Sequence, residues 1–148
     1  VGIARALSID PKILLMDEPF SALDALTRGT LQDEVRRICR STGQTVFMIT
    51  HDVDEAMYLA DKIVLMTNGP NAMIAEIVQN PLPVDRARED VHRHDAYYPL
   101  RNHLIDFLVT RSGTFRNEMP STYDRKKPPV VVPGLNPSAF PHAQLASA

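Results

Sequence analysis

Ile13-Leu14-Leu15-Met16-Asp17-Glu18-Pro19 is the stretch that decides the fold. Its four bulky apolar residues stand between Pro11 and Pro19 and predict a short strand that is buried on both faces. The strand ends in two adjacent carboxylates, and successive side chains at a strand end point in opposite directions. Asp17 and Glu18 therefore differ in role: one can bind a Mg²⁺ ion while the other polarises a water for attack on phosphate.

A second strand ends in a further chemically useful side chain. Thr45–Thr50 is β-branched and aromatic-rich, which favours a strand, and His51 follows it directly. His51 thus occupies the place after the second strand that Asp17 and Glu18 occupy after the first. Taken alone, the acidic pair is also compatible with an ordinary acidic turn, and a lone histidine is more often a structural hydrogen-bonding residue.

Apolar periodicity and turn residues predict the other elements. Strand, helix, strand, helix and strand in succession predict an α/β fold with a mainly parallel sheet flanked by helices. A linker and a helical extension follow at residues 80–111, and the proline-rich residues 112–148 predict a disordered tail. The predicted segments are a helix ending at Leu7, strands 13–17, 45–50, 63–66 and 73–78, helices 25–40 and 100–109, and a short helix from Asp52, with the last two strands antiparallel.

The helix over residues 25–40 carries several specific expectations. Asp24 precedes it and can cap it through its side-chain oxygen. Asp33 and Arg37 are expected to face each other across one turn on the polar side. Cys39 belongs to the apolar stripe, so a buried hydrophobic side chain is expected there rather than a reactive thiol.

Composition bounds the class of protein. The 148 residues include 44% hydrophobic and 23% charged residues, which is typical of a globular domain with a core of its own. A net charge of −2 argues against a nucleic-acid-binding surface. A single cysteine excludes an internal disulfide and fits a reducing compartment. The first residue is Val1 and the chain opens inside a helical pattern, so we expect the N-terminal part of a longer protein to be missing.

Three short motifs in this order and spacing resemble the ATPase subunit of ABC transporters. They are Asp17-Glu18-Pro19, Ser21-Ala22-Leu23-Asp24 and Thr50-His51-Asp52. In that family they correspond to the Walker B motif, the D-loop and the switch or H-loop. Val1–Leu7 is similar to the helix downstream of the family's signature motif, and the resemblance extends to about Val109. It implies that residues 1–79 are part of an ABC ATPase domain of the P-loop NTPase class.

Residues beyond Lys62 restrict the resemblance to one subfamily. Residues 63–72, Arg86-Ala87-Arg88 and residues 97–103 resemble the subfamily that serves nitrate, nitrite or cyanate importers. Importers of sulfonates, taurine or bicarbonate have similar sequences there.

The resemblance implies a role for each motif residue, with ATP and Mg²⁺ as cofactors. Asp17 would hold Mg²⁺ through a water, Glu18 would act as general base or orient the lytic water, and His51 would hydrogen-bond the γ-phosphate. A dimer interface is implied for Ser21, Ala22, Leu23 and Asp24, because two ATPase subunits of this family enclose two ATP molecules. The implied partners are that second subunit, transmembrane permease subunits and, indirectly, a solute-binding protein, with no nucleic acid; the implied location is the cytoplasmic face of the plasma membrane.

The sequence also departs from the family pattern. It contains no Gly-x-x-x-x-Gly-Lys-Ser/Thr segment, so the backbone cradle for the phosphates is absent from these 148 residues. The family's Gln-bearing loop and Gly-rich signature are absent as well. We therefore expect the 148-residue chain alone to be inactive.

Two other hypotheses remain open at this point. An ABC-type ATPase of DNA repair or chromosome maintenance carries the same three motifs, usually with a basic surface. A non-catalytic regulatory module would use residues 80–148 to bind a partner or the solute. His92 and His94 are two residues apart, which favours solvated side chains over a metal site.

Overall fold

A computed structural model describes residues 2–9, 11–115, 119 and 121–134 of the chain. The chain divides into two compact units, an N-terminal unit of residues 1–52 and a C-terminal unit of residues 53–148. Each unit contains its own small β-sheet. The mixed α/β class expected from the sequence is confirmed.

The N-terminal unit is a βαβ arrangement preceded by a helix. It consists of α1 (Gly2–Leu7), β1 (Ile13–Asp17), α2 (Ala25–Thr42) and β2 (Thr45–Ile49). β1 and β2 are parallel, with a register that runs from Ile13 opposite Thr45 to Asp17 opposite Ile49. The two strands therefore end together at one edge of the sheet, as the sequence predicts.

Only one face of β1 is buried in the described residues. Leu14 is 4% exposed, whereas Leu15, the next residue along, is 73% exposed. The expectation that β1 is buried on both faces is therefore wrong for this part of the chain. A single crossover helix packs on one side of a parallel pair, and α2 contributes buried Val35 and Cys39. The other face carries exposed Ile13, Leu15, Phe47 and Ile49.

Helix α2 has well-defined ends. Oδ1 of Asp24 accepts hydrogen bonds from the backbone N–H groups at the first turn, so the predicted cap is confirmed. Gly43 ends the helix with φ of 65°, a left-handed conformation that suits glycine. Arg37 pairs with Glu34, at 2.8 Å and 3.0 Å, rather than with Asp33 as predicted. The i, i+3 spacing allows a bidentate contact here, which explains the difference.

In the described residues, the C-terminal unit combines a three-stranded sheet with four helical segments. Its elements are α3 (Val53–Leu59), β3 (Lys62–Met66), β4 (Ile74–Gln79), a 3₁₀ turn (Val91–Arg93), α4 (Tyr97–Asp106), a π-helical turn (Phe107–Arg111) and β5 (Val130–Val131). β3 and β4 are antiparallel, which confirms the prediction, and β5 adds to β4 in parallel. The core is apolar and includes Met57, Ala75, Val78, Leu100, Leu104, Phe107 and Phe115.

The segment that the sequence suggests as a linker is packed against the end of α3. Asn80, Leu82 and Arg86 are all buried. The guanidinium of Arg86 donates to the carbonyls of Tyr58 at 2.8 Å and Ala60 at 2.7 Å. Nδ2 of Asn80 donates to the same Ala60 carbonyl at 2.7 Å. These side chains satisfy carbonyls that the last turn of a helix leaves unpaired.

The ordered part of the chain extends beyond Ser112. Phe115 is 2% exposed and Val131 is 4% exposed, and the hydroxyl of Tyr123 donates to the backbone carbonyl of Ile74. The expectation of disorder from Ser112 onward is therefore wrong for these described residues, because an edge pairing of two residues tolerates the surrounding prolines. Residues 135–148, where most of the remaining tail was predicted, lie outside the described residues.

The π-helical turn after α4 was not predicted. The pattern over residues 100–109 favours a regular α-helix, but the backbone widens from Phe107 onward. Arg111 then lies near Glu76 of β4. In the β3–β4 turn, Nδ2 of Asn68 donates to the hydroxyl oxygen of Ser112 at 2.8 Å. Leu108 is consequently half-exposed instead of belonging to the core.

Candidate active site

The site lies in the N-terminal unit, at the edge where β1 and β2 end. The N–H of Glu18 donates to the carbonyl of Ile49 at 2.9 Å, which extends the parallel pairing one residue beyond β1. Glu18 itself has φ of 45°, a left-handed conformation that is uncommon for a residue with a side chain. Such backbone strain is often found at functional sites.

Glu18 and His51 contact each other directly. Nδ1 of His51 lies 2.7 Å from Oε1 of Glu18. An ionised carboxylate only accepts hydrogen bonds, so with Glu18 ionised the Nδ1 atom carries the proton of this bond. The carboxylate is half-buried and the imidazole is largely exposed. The structure thus brings together two of the three predicted strand-end side chains in one polar contact.

Asp17 lies at the end of β1, opposite Ile49, with its side chain exposed. Among the described residues, no group of three or more His, Cys, Asp or Glu side chains could cage a metal ion. Mg²⁺ in phosphoryl-transfer sites does not need such a cage, because it uses one or two carboxylates with waters and phosphate oxygens. An exposed aspartate at the end of a strand fits that requirement.

The loop between β1 and α2 is held by hydrogen bonds to its own backbone. The backbone N–H and the hydroxyl of Ser21 both reach the carbonyl of Glu18, the hydroxyl at 2.9 Å. Phe20 is 1% exposed and anchors the loop, and its carbonyl accepts the N–H of Leu23. Ser21 and Ala22 are exposed at the surface, whereas Leu23 is half-buried.

Asp24 closes this loop and begins α2. Hydrogen bonds from Thr27 and Leu26 hold the pKa of the Asp24 carboxyl below its usual range, the bonds from Thr27 having the largest effect. The side chain is therefore occupied as a helix cap. A cap position does not prevent the exposed part of the loop from contacting another subunit.

Arg28 is a residue of this site that the sequence interpretation missed. Nη2 of Arg28 donates to the carbonyl of Leu23 at 3.0 Å, and Nη1 lies 3.8 Å from Oδ2 of Asp52. The guanidinium therefore joins the loop after β1 to the residue that follows His51. An arginine four residues after a capping aspartate was the available signal, but nothing in the sequence indicates its distant partner.

The carboxyl ends of parallel strands are where α/β proteins bind ligands, and carboxylates there can hold Mg²⁺ or position a water for phosphoryl transfer. No protein-family model matches the chain. Curated proteins do match it: the nitrate import ATP-binding protein NrtC of Synechococcus elongatus is 55% identical over 108 residues. The bicarbonate transport ATP-binding protein CmpD of the same species is 54% identical over 111 residues, and CmpC of Synechocystis sp. is 55% identical over 108.

The chain belongs to the family of ABC transporter ATP-binding subunits. The matches cover 73% of this chain for NrtC and CmpC and 75% for CmpD. In the other direction, the chain spans 16% of NrtC and CmpC and 40% of CmpD. No helix in the part of the chain that the structure describes combines the length and the apolar character needed to cross a membrane.

Proposed function

We propose that these residues belong to an ATP-hydrolysing subunit that energises the import of a small inorganic anion such as nitrate or nitrite. The observation that carries the proposal is the 2.7 Å contact between Glu18 and His51 at the ends of two parallel strands. The nitrate and bicarbonate ATP-binding relatives support it.

Each site residue has a chemical task in this proposal. Glu18 orients a water toward the γ-phosphate and accepts the proton that the water loses. His51 donates through Nδ1 to Glu18, so its hydrogen bond to a phosphate oxygen would be donated by Nε2, which carries a proton only when both ring nitrogens are protonated. Asp17 would hold Mg²⁺ through a water, and the ion, when bound, supplies neutralisation of phosphate charge.

The loop of Ser21, Ala22, Leu23 and Asp24 is assigned to a subunit interface. Ser21 and Ala22 are exposed, and the backbone bonds of the loop fix its shape before any partner arrives. A preformed loop loses little conformational entropy on binding. We assign the opposite face of that interface to a second ATPase subunit, and we place the assembly on permease subunits at the cytoplasmic side of the membrane.

The proposal also specifies the imported anion as nitrate rather than bicarbonate. The nitrate and bicarbonate relatives are 55% and 54% identical to the chain, so overall identity does not separate them. The segments beyond Lys62 favour the nitrate type. Uptake of ¹⁵N-nitrate and of ¹⁴C-bicarbonate should be compared in cells that lack the native ATPase and carry the complete subunit. Restoration of bicarbonate uptake alone would contradict the nitrate assignment.

The catalytic assignment is tested by Glu18→Gln in the complete subunit. The amide keeps the size of the side chain but cannot accept the proton, so we expect hydrolysis to fall by roughly 100-fold or more while ATP binding persists. ATP-bound dimers should accumulate and elute earlier from a sizing column. Glu34→Gln, on the exposed side of α2, is the matched control and should hydrolyse ATP normally. Unchanged turnover in Glu18→Gln would refute the role of Glu18.

A further inference from the structure

We propose that Arg28 is a positioning residue that holds His51 in place against Glu18 and couples it to the loop of residues 21–24. The proposal rests on the proposed function and adds a control element to the same site. It is carried by the bridge that Arg28 makes between the loop after β1 and the segment after β2.

The contacts form a closed ring. Glu18 bonds His51 at 2.7 Å, and Asp52, the next residue, lies 3.8 Å from Arg28. Arg28 in turn donates to the carbonyl of Leu23 at 3.0 Å, and the same loop returns to the Glu18 carbonyl through the Ser21 hydroxyl. Side chains thus connect the two strand ends through the site itself and also through Arg28.

Arg28 is well placed to transmit a displacement. It lies at the start of α2, where its backbone N–H donates to the carbonyl of Asp24 at 2.9 Å. Its side chain is about one-third exposed, and its Nε atom is buried without an acceptor among the described residues. Burying a donor without an acceptor costs free energy, which a freely solvated side chain would avoid. The guanidinium is therefore held in place by its two contacts. The planar fork of arginine can serve both contacts at once, which a lysine cannot do.

A movement of the loop therefore reaches His51 by a short route. If a second subunit displaces residues 21–24, the Leu23 carbonyl moves and Arg28 shifts with it. Asp52 and then His51 are displaced next, and the alignment of Glu18 changes. Because a misplacement of about 1 Å can cost up to about 100-fold in rate, such a connection can regulate hydrolysis without touching the nucleotide.

The test uses the complete ATPase subunit, obtained natively or by grafting this chain onto CmpD in place of the matching segment. We expect Arg28→Ala to lower kcat by roughly tenfold with KM for ATP within about twofold, because Arg28 acts through His51 and not on the nucleotide. Arg28→Lys should recover part of the loss. The double variant Arg28→Ala/Asp52→Asn should have the same kcat as Arg28→Ala alone, because both substitutions remove the same contact between Arg28 and Asp52.

Arg37→Ala is the matched control, because Arg37 is on the same helix but pairs with Glu34 on its exposed side. It should leave kcat unchanged. Normal kcat in Arg28→Ala, or additive losses in the double variant, would overturn the proposal. A fall in kcat that tracks melting temperature, without recovery in Arg28→Lys, would reduce Arg28 to a structural role. If Arg28→Ala does not fold, Arg28→Lys and Asp52→Asn provide the same comparison. An inactive wild-type subunit, or a fully active Glu18→Gln, would instead refute the proposed function.

Discussion

Nε2 of His103 on α4 lies 2.5 Å from Oε1 of Glu76, a fully buried residue of β4. Nη1 of Arg111 lies 3.9 Å from the other carboxylate oxygen, and the guanidinium lies over the rings of Phe107 and Phe115. A buried carboxylate is costly unless other groups compensate it. The cluster thus ties the sheet of the C-terminal unit to α4 and to the π-helical turn.

Glu76→Gln should destabilise the C-terminal unit by about 3 kcal/mol, because it removes the charge that compensates the partly buried side chains of His103 and Arg111. Urea unfolding followed by tyrosine fluorescence measures this effect selectively. The chain has no tryptophan, and all four tyrosines lie in the C-terminal unit.

Glu34→Gln is the control for this measurement, since it removes a carboxylate from an exposed pair of the N-terminal unit. Its tyrosine transition should coincide with that of the wild type. Equal midpoints for Glu76→Gln and Glu34→Gln would show that the cluster contributes nothing to stability.

Protonation of Asp54 in acid should lower the stability of the C-terminal unit. Burial raises the pKa of its carboxyl, but hydrogen bonds from Arg101 and Tyr97 and the charge of Arg101 outweigh this effect and hold the pKa below its ordinary value of 3.8. The folded pKa is therefore lower than the unfolded one. The stabilisation is complete above about pH 3.8 and is lost as the pH falls through the folded value.

The measurement compares the wild type with Asp54→Asn between pH 7 and pH 2.5. The difference in unfolding free energy should be below about 1 kcal/mol at pH 7, because the side chain is partly exposed and screened by solvent. It should shrink on acidification and in high salt. A difference that grows as the pH falls would contradict this assignment.

Cys39 should be protected from thiol reagents in the native protein. The side chain is 8% exposed, and burial raises the pKa of the thiol, so the reactive thiolate is disfavoured. We expect maleimide labelling to be at least about 100-fold slower than in urea, because the reaction requires local opening. The control is Val109→Cys in a Cys39→Ala background, since Val109 is 80% exposed and should label rapidly. Equal native and unfolded rates for Cys39 would be inconsistent with its burial.

The 148-residue chain alone should not hydrolyse ATP. Asp17, Glu18 and His51 provide groups for the γ-phosphate, but the sequence contains no glycine-rich segment that could hold the phosphates through backbone N–H groups. Phosphate release should stay at the level of buffer, while the complete subunit under the same conditions should turn over. Turnover by the isolated chain that disappears in Glu18→Gln would contradict this expectation.

The success of the sequence interpretation depended on how local each feature is. The cap of α2 by Asp24 and the burial of Cys39 were predictable, because a cap involves neighbouring residues and burial follows the helical period. The antiparallel β3–β4 pair was predictable from its turn. The pairing of Arg37 with Glu34 was missed because Asp33 and Glu34 both lie about one helical turn from Arg37, and the spacing alone does not distinguish them.

Side-chain contacts between distant residues that belong to no motif were not predictable. The contact of Arg28 with Asp52 and that of Glu76 with His103 join side chains that no periodicity connects. The burial of Phe115 and Val131 was not predicted from a proline-rich segment, because composition reports the average tendency of a segment and not the surface it contacts.

The sequence by itself determined the two strands, their polar ends and the residue types available for chemistry, since apolar runs and strand boundaries are local properties. Only the tertiary structure decided that Glu18 and His51 meet, that one face of β1 is buried, and that Arg28 links the two strand ends. The physical reason is that register and distance between strands are set by the whole packed unit and not by either strand alone.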